Sequence, residues 1–256
     1  MAIALSSIKT GREIVPPRLL IYGLDGIGKS TWAASAPSPI FTQTEDRLSH
    51  IACDRFPLCE TFEQAIDNLS SLYEEDHDYC THVTDSVDWL EKLIHKSLCE
   101  EFGEKVISSN AKGSGFSYGR GYVLAEEKFR TYLAGLEALR SKKRMQIILI
   151  AHTQVKRFED PMRDSYDQYR PNLHERICQT LLQWVDCAFF ANFDVLVKSE
   201  KDDYGKEKKK GIGRGDRILY TEERPAYEAK NSYDMPPQMP LEYSAFEAAY
   251  NEWKNK

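Results

Sequence analysis

Lys29 and Ser30 are the residues whose chemistry is easiest to read. They close the run Gly23-Leu24-Asp25-Gly26-Ile27-Gly28-Lys29-Ser30, which fits G-x-x-x-x-G-K-[ST] at every fixed position. Three glycines let a backbone wrap tightly, so that successive N–H groups point at one phosphate chain. The Lys29 ammonium can reach β- and γ-phosphates, and the Ser30 hydroxyl can ligate Mg²⁺. Thr31 completes the set of candidate contacts, on a helix that starts near Lys29 and turns its positive end toward the anion. The expected ligands are ATP and Mg²⁺.

Three other places carry polar groups just past an apolar run, where ligands bind in parallel sheets. Glu45 and Asp46 follow the strand-like Ile40-Phe41-Thr42. Asp85 ends a run over 80–84, where a carboxylate is needed to hold the Mg²⁺ water shell. His82 and Thr84 interrupt that run, and Asp88 competes for the metal role against a plainer one as an exposed acid in the first turn of a helix. His152-Thr153-Gln154 follows the clearest buried strand, 146–151, and can sense a γ-phosphate or simply close the strand.

Residues 108–122 contain glycines, two cations (Lys112, Arg120) and three aromatics (Phe116, Tyr118, Tyr122), with no acid. Cations track phosphates and rings stack on bases, so this composition suits single-stranded nucleic acid as well as it suits an ordinary mobile loop. Residues 155–176, which include Lys156 and Arg157, read as a long, charge-balanced polar loop, and such loops are usually functional or mobile. Lys206, Lys208, Lys209, Lys210, Arg214 and Arg217 crowd 198–217, read as an exposed hairpin tip whose lysines can add phosphate contacts.

The elements that must position these groups follow from periodicity. Strands are expected at 19–22, 40–42, 80–84, 146–151, 186–197, 218–220 and 226–230. Helices are expected after Lys29, over 61–74, from Trp89 through Leu98, over 123–143, over 177–184 and over 241–254. Alternating strands and helices predict an α/β fold. Residues 1–17 read as an arm, either frayed or packed on a neighbouring subunit; 18–240 as one domain; 241–256 as a C-terminal helix.

With 256 residues, 41% of them hydrophobic, the chain can bury one full core. A net charge of −6 excludes a uniformly basic coat for nucleic acid, so such contacts must be local. The six cysteines (53, 59, 80, 99, 178, 187) form no C-x-x-C pair, which fits reduced thiols in a cytoplasmic setting. No apolar stretch approaches the ~20 residues of a membrane span, and no apolar signal core begins the chain.

Over residues 16–245 the order of parts resembles the RecA-type recombinase core, in the short form of bacteriophage "AAA family" ATPases, some of which are single-strand annealing proteins. The pieces that carry the likeness are Gly23–Ser30, Thr42-Gln-Thr-Glu-Asp46, Val83-Thr-Asp-Ser-Val-Asp-Trp89, Ile148-Leu-Ile-Ala-His-Thr-Gln154 and Ala229-Lys-Asn-Ser-Tyr233. The resemblance implies a RecA-like P-loop NTPase core with a mostly parallel sheet between helices and an antiparallel C-terminal extension. It implies that Glu45 orients the attacking water, that Asp85 serves Mg²⁺, and that His152 or Gln154 couples nucleotide state to the loop that follows. Residues 108–122 and 155–176 correspond to two DNA-facing loops, and Lys230 to a cation reaching a neighbour's nucleotide. Ser232 stands where a second basic residue is expected, and the long flanking domains of full recombinases are missing.

The implied activity is a single-stranded-DNA-dependent ATPase that promotes annealing or recombination of phage DNA in the host cytoplasm. It would act as a homo-oligomeric ring or filament, with a single-stranded-DNA-binding protein as a further partner. Two other classes fit a P-loop: a small-molecule kinase, for which no lid signature is evident, and a non-catalytic nucleotide-regulated switch or loader.

Overall fold

The computed structural model describes residues 8, 10–111, 113–160, 164–201 and 207–256, and of 195–201 and 207–214 the backbone alone. Lys112, Lys206 and the side chains of Lys208, Lys209, Lys210 and Arg214 therefore lie outside the described residues.

The first half of the chain runs β1 (Arg18–Gly23), α1 (Lys29–Ala34), β2 (Pro39–Gln43), β3 (Asp54–Arg55), α2 (Phe62–Glu74), β4 (Thr81–Asp85), α3 (Val87–Phe102) and α4 (Arg120–Lys142). The second half runs β5 (Gln146–Phe158), β6 (Tyr166–Pro171), α5 (Glu175–Trp184), β7 (Cys187–Lys201), β8 (Glu207–Tyr220), β9 (Lys230–Asn231), β10 (Gln238–Pro240) and α6 (Tyr243–Lys254).

The main path of the sheet reads β10-β8-β7-β1-β5-β4-β2-β3. From β7 through β3 the neighbours are parallel. β8 and β10 add antiparallel strands at the other edge. This is the mostly parallel α/β sheet with an antiparallel C-terminal part that the sequence leads one to expect.

β1 is apolar throughout because it is buried on both faces. Leu20 and Tyr22 point into one core, with the apolar sides of α2, α3, α4 and α5. Leu19 and Ile21 point into the other, with Trp32, Phe189, Tyr243 and Phe246. α6 is thus part of the second core. Pro16 O and Val15 O accept from Arg140 and Tyr250, so the end of the N-terminal arm lies along its own subunit.

Several expectations change. Residues 155–176 are not a structureless loop: β5 continues through Phe158 and turns back as β6, pairing Thr153 with Pro171 and Phe158 with Tyr166. Trp89 is 38% exposed, under the Lys92 ammonium at 3.7 Å, instead of facing the core. The buried side of α3 is Val87, Leu90, Ile94 and Leu98, at the three- and four-residue spacing of one helix face. The polar strand β4 is fully inside. His82 Nε2 meets Thr42 Oγ1 at 3.1 Å and Thr84 Oγ1 meets the Tyr132 hydroxyl at 2.9 Å, which removes much of the cost of burying them.

Candidate functional site

At the carboxyl end of β1 the three loop glycines divide their tasks. Gly23 still belongs to the sheet, and a Cβ there would come 2.1 Å from the Ala191 carbonyl oxygen on β7. It is needed for close strand packing, not for wrapping phosphate. Gly26 and Gly28 do the turning, with φ of +71° and +111°, a region open to glycine at little cost. Ile27 anchors the loop from within the core, while Asp25 is exposed and Leu24 half-buried. α1 has only six residues, so anion recognition rests on the loop N–H groups and Lys29 more than on a helix dipole.

Lys29 is buried and folds back over the loop, donating to Gly23 O at 2.9 Å and Leu24 O at 3.0 Å. Burial lowers its pKa, and four nearby carboxylates, Asp25 first, oppose that shift. Ser30 Oγ donates to Asp85 Oδ2 at 2.5 Å. Burial raises the Asp85 carboxyl to about 6, and the Ser30 hydrogen bond only partly offsets this. A desolvated acid paired with a hydroxyl beside a phosphate-binding loop is a donor set suited to Mg²⁺.

Glu45 is placed by the exit of β2. Thr44 N donates to Asp85 O at 2.8 Å and Thr44 Oγ1 to Ser86 O at 2.7 Å, which ties the ends of β2 and β4 together. Glu45 is 7% exposed, and its Oε2 is buried without a hydrogen-bond partner. Oε1 stands 3.5 Å from His152 Nε2, and the Arg47 guanidinium lies 3.4 Å from Oε2. A buried carboxylate beside the cleft can hold a water by accepting its hydrogen bond.

His152 sits on β5 directly beside Gly23. Its backbone N and its Nδ1 both donate to Asp88, at 3.0 and 2.9 Å. That contact raises the imidazole pKa against the effect of burial. Asp88, the carboxylate competing with Asp85, is not an exposed first-turn acid: it is 3% exposed and holds His152, whereas Asp85 is the one paired with Ser30. Gln154 lies elsewhere, donating to Pro171 O and Leu173 O at 3.1 and 3.2 Å, where it ties β5 to the end of β6.

Lys29, Ser30, Thr31, Glu45, Asp85 and His152 line one cleft of about 360 Å³, together with Gly26 and Gly28. Arg217 of β8 lines it too. Expected in an exposed hairpin tip, Arg217 instead pairs with Phe193 on β7, which puts it beside the loop.

Two expectations are corrected by what the side chains touch. The Lys230 ammonium is occupied by its own chain, donating to Leu182 O at 3.1 Å and Val185 O at 2.7 Å, where it closes the carboxyl end of α5. Phe116 is fully buried against Phe102, 5.2 Å between centroids, and offers no face to a base. Tyr118, by contrast, is fully exposed with φ +57°, and Arg120, Lys156 and Arg157 are exposed. Tyr122, at the start of α4, stacks on His174 just after β6, 3.9 Å apart and nearly parallel. That contact brings the 108–122 segment against the base of the β5–β6 hairpin.

Among the described residues no helix is long and apolar enough to cross a membrane. No curated protein matches the chain. Compared with known families, residues 15–233 match the AAA domain. With the glycine loop, Lys29 and the Ser30–Asp85 pair on a mostly parallel sheet, the chain belongs to that AAA-domain family of P-loop ATPase domains.

Proposed function

We propose that this protein binds ATP with Mg²⁺ and hydrolyses it in response to single-stranded DNA, as a homo-oligomer that promotes annealing or recombination. The observation that carries hydrolysis is Glu45, a buried carboxylate on the cleft that holds Lys29.

The loop N–H groups cradle the phosphates, and Lys29 exchanges its two carbonyl partners for phosphate oxygens as charge moves onto them. Ser30 and Asp85 would hold Mg²⁺, which when bound would supply charge neutralisation to the phosphates. Glu45 orients the attacking water. His152, fixed by Asp88, feels what happens at Glu45 across 3.5 Å and sits on the strand that leads into the hairpin. Tyr118, Arg120 and Arg157 supply one exposed ring and two exposed side-chain cations for the strand, and Lys156 would exchange its partner Glu175 for phosphate.

The test is ATP hydrolysis with and without single-stranded DNA. Wild-type hydrolysis should rise with DNA. Glu45→Gln should keep ATP binding and lose roughly 100-fold or more in rate, and Lys29→Ala should lose binding as well. Hydrolysis indifferent to DNA would remove the DNA part of the proposal, and full activity in Glu45→Gln would remove the role of the acid.

A further inference from the structure

We propose that Arg47 is a catalytic cation supplied by the subunit's own chain, one that exchanges its partner Glu45 for the γ-phosphate of ATP. This rests on the hydrolysis reading above and adds a cation which that reading does not use.

Phosphoryl transfer spreads charge over the γ-phosphate oxygens, and a cation beside them accelerates it. Lys230, expected to bring that cation to a neighbour, is held by Leu182 O and Val185 O of its own chain. Three lysine and arginine side chains line the cleft: Lys29, Arg217 and Arg47. Lys29 belongs to the loop. Arg217 stands over Gly28, its Nη1 2.9 Å from the point where a Cβ there would lie. Arg47 is the one beside Glu45, where the water is to be held.

The setting suits a side chain that changes partners. Arg47 Nε lies 3.4 Å from Glu45 Oε2, yet the Glu45 side chain is 6% exposed and that of Arg47 64%. The carboxylate is held by the fold, whereas the guanidinium forms no other ion pair among the described residues. The Arg47 backbone is fixed: its N donates to Glu45 O at 3.0 Å, and Leu48, next along the chain, is buried in the second core. A long side chain on an anchored Cα can swing past Glu45 without moving the loop. Its planar fork of N–H donors matches phosphate oxygens in pairs.

The exchange also serves Glu45. A carboxylate paired with a guanidinium is a weaker acceptor for water than a free one. As Arg47 turns to the γ-phosphate, Oε2 is released to the water, and Oε1 keeps His152 at 3.5 Å. The water oxygen bonds to the γ-phosphorus. The bond to the bridging oxygen breaks, its electron pair leaving on ADP, and one water proton passes to Glu45 and from there to the released phosphate.

The experiment compares wild type with Arg47→Ala and with Arg47→Gln, which keeps much of the stem and removes the charge. Arg47 is exposed, so both should melt at the wild-type midpoint. ATP hydrolysis with Mg²⁺ and single-stranded DNA should fall about 1,000-fold in both, while ADP affinity, read by titration calorimetry, stays at the wild-type value. ADP with aluminium fluoride imitates the phosphoryl group in transfer. Wild type should hold it more tightly than ADP alone, and both variants should lose that gain. A cation that only restrains Glu45 predicts the opposite: hydrolysis as fast as wild type or faster, and an undiminished gain from aluminium fluoride. Either result overturns the proposal and leaves the hydrolysis reading in place. A wild-type protein that binds ADP and hydrolyses no ATP removes the hydrolysis reading, and the role of Arg47 with it.

Discussion

Two acids one turn apart on α3 are buried to opposite effect. Asp88 feels burial most, but two hydrogen bonds and the charge of His152 outweigh it, so its pKa is lowered and it stays ionised. Glu91 has only the His174 N–H, at 3.1 Å from each oxygen, and a neighbouring His95 that burial keeps neutral with a pKa near 4. Burial therefore raises Glu91 to about 7, Asp88 adds to the shift, and Lys92 opposes it. An acid raised on folding costs nothing below its unfolded pKa and costs most above its folded one. Stability should fall as pH rises from about 4.5 to about 7. Glu91→Gln keeps an acceptor for His174 without the charge. It should match wild type near pH 5 and gain up to about 3 kcal/mol near pH 8, measured by urea unfolding at both values. An equal gain at both pH values would mean that Glu91 does not titrate there. At this scale the sequence makes Lys29 and Ser30 plain through fixed spacing, and Glu45 and Asp85 through their place after strands. Asp88 and Arg217 were not legible, because their roles come from pairings with β5 and with Gly28 that no local pattern encodes.

Elements were legible where burial is two-sided or a helix face is sustained. β1 and the first half of β5 announce themselves as apolar runs, and α2 and α4 by their period. The far half of β5 and all of β6 did not, since a hairpin outside the main sheet carries lysine, arginine and aspartate as readily as a loop does. β3, β9 and β10 have two or three residues each and form only by docking on strands already present. The packing of β1 makes its own test. Gly23→Ala would drive a methyl into the Ala191 carbonyl, a contact with backbone that no side-chain rotation relieves. We expect a loss of about 3 kcal/mol or more, seen as a lowered thermal midpoint with or without nucleotide. A variant as stable as wild type would show that β1 and β7 can move apart at no cost.

For the whole molecule, the central sheet is closed by a different part of the chain on each face. One face is covered by α2 to α5, the other by α1 and, from the far end of the sequence, α6. The C-terminal helix expected over 241–256 packs into the domain over 18–240: Tyr243, Phe246 and Tyr250 share a core with β1, and Tyr250 also holds Val15. Ending the chain at residue 240 should expose Trp32 and Phe189 and abolish cooperative unfolding, whereas a dispensable tail would leave the melting curve unchanged. β5 belongs to both the sheet and the hairpin. Its neighbours β1 and β4 stop at the level of His152 and Ile150, and beyond them, among the described residues, only β6 pairs with it. From His152 to Phe158 is roughly 20 Å of extended chain. By geometry alone, a tilt of about 5° at His152 would sweep the far end of such a ribbon by roughly 2 Å, turning a change too small to break a hydrogen bond into a displacement larger than a bond length.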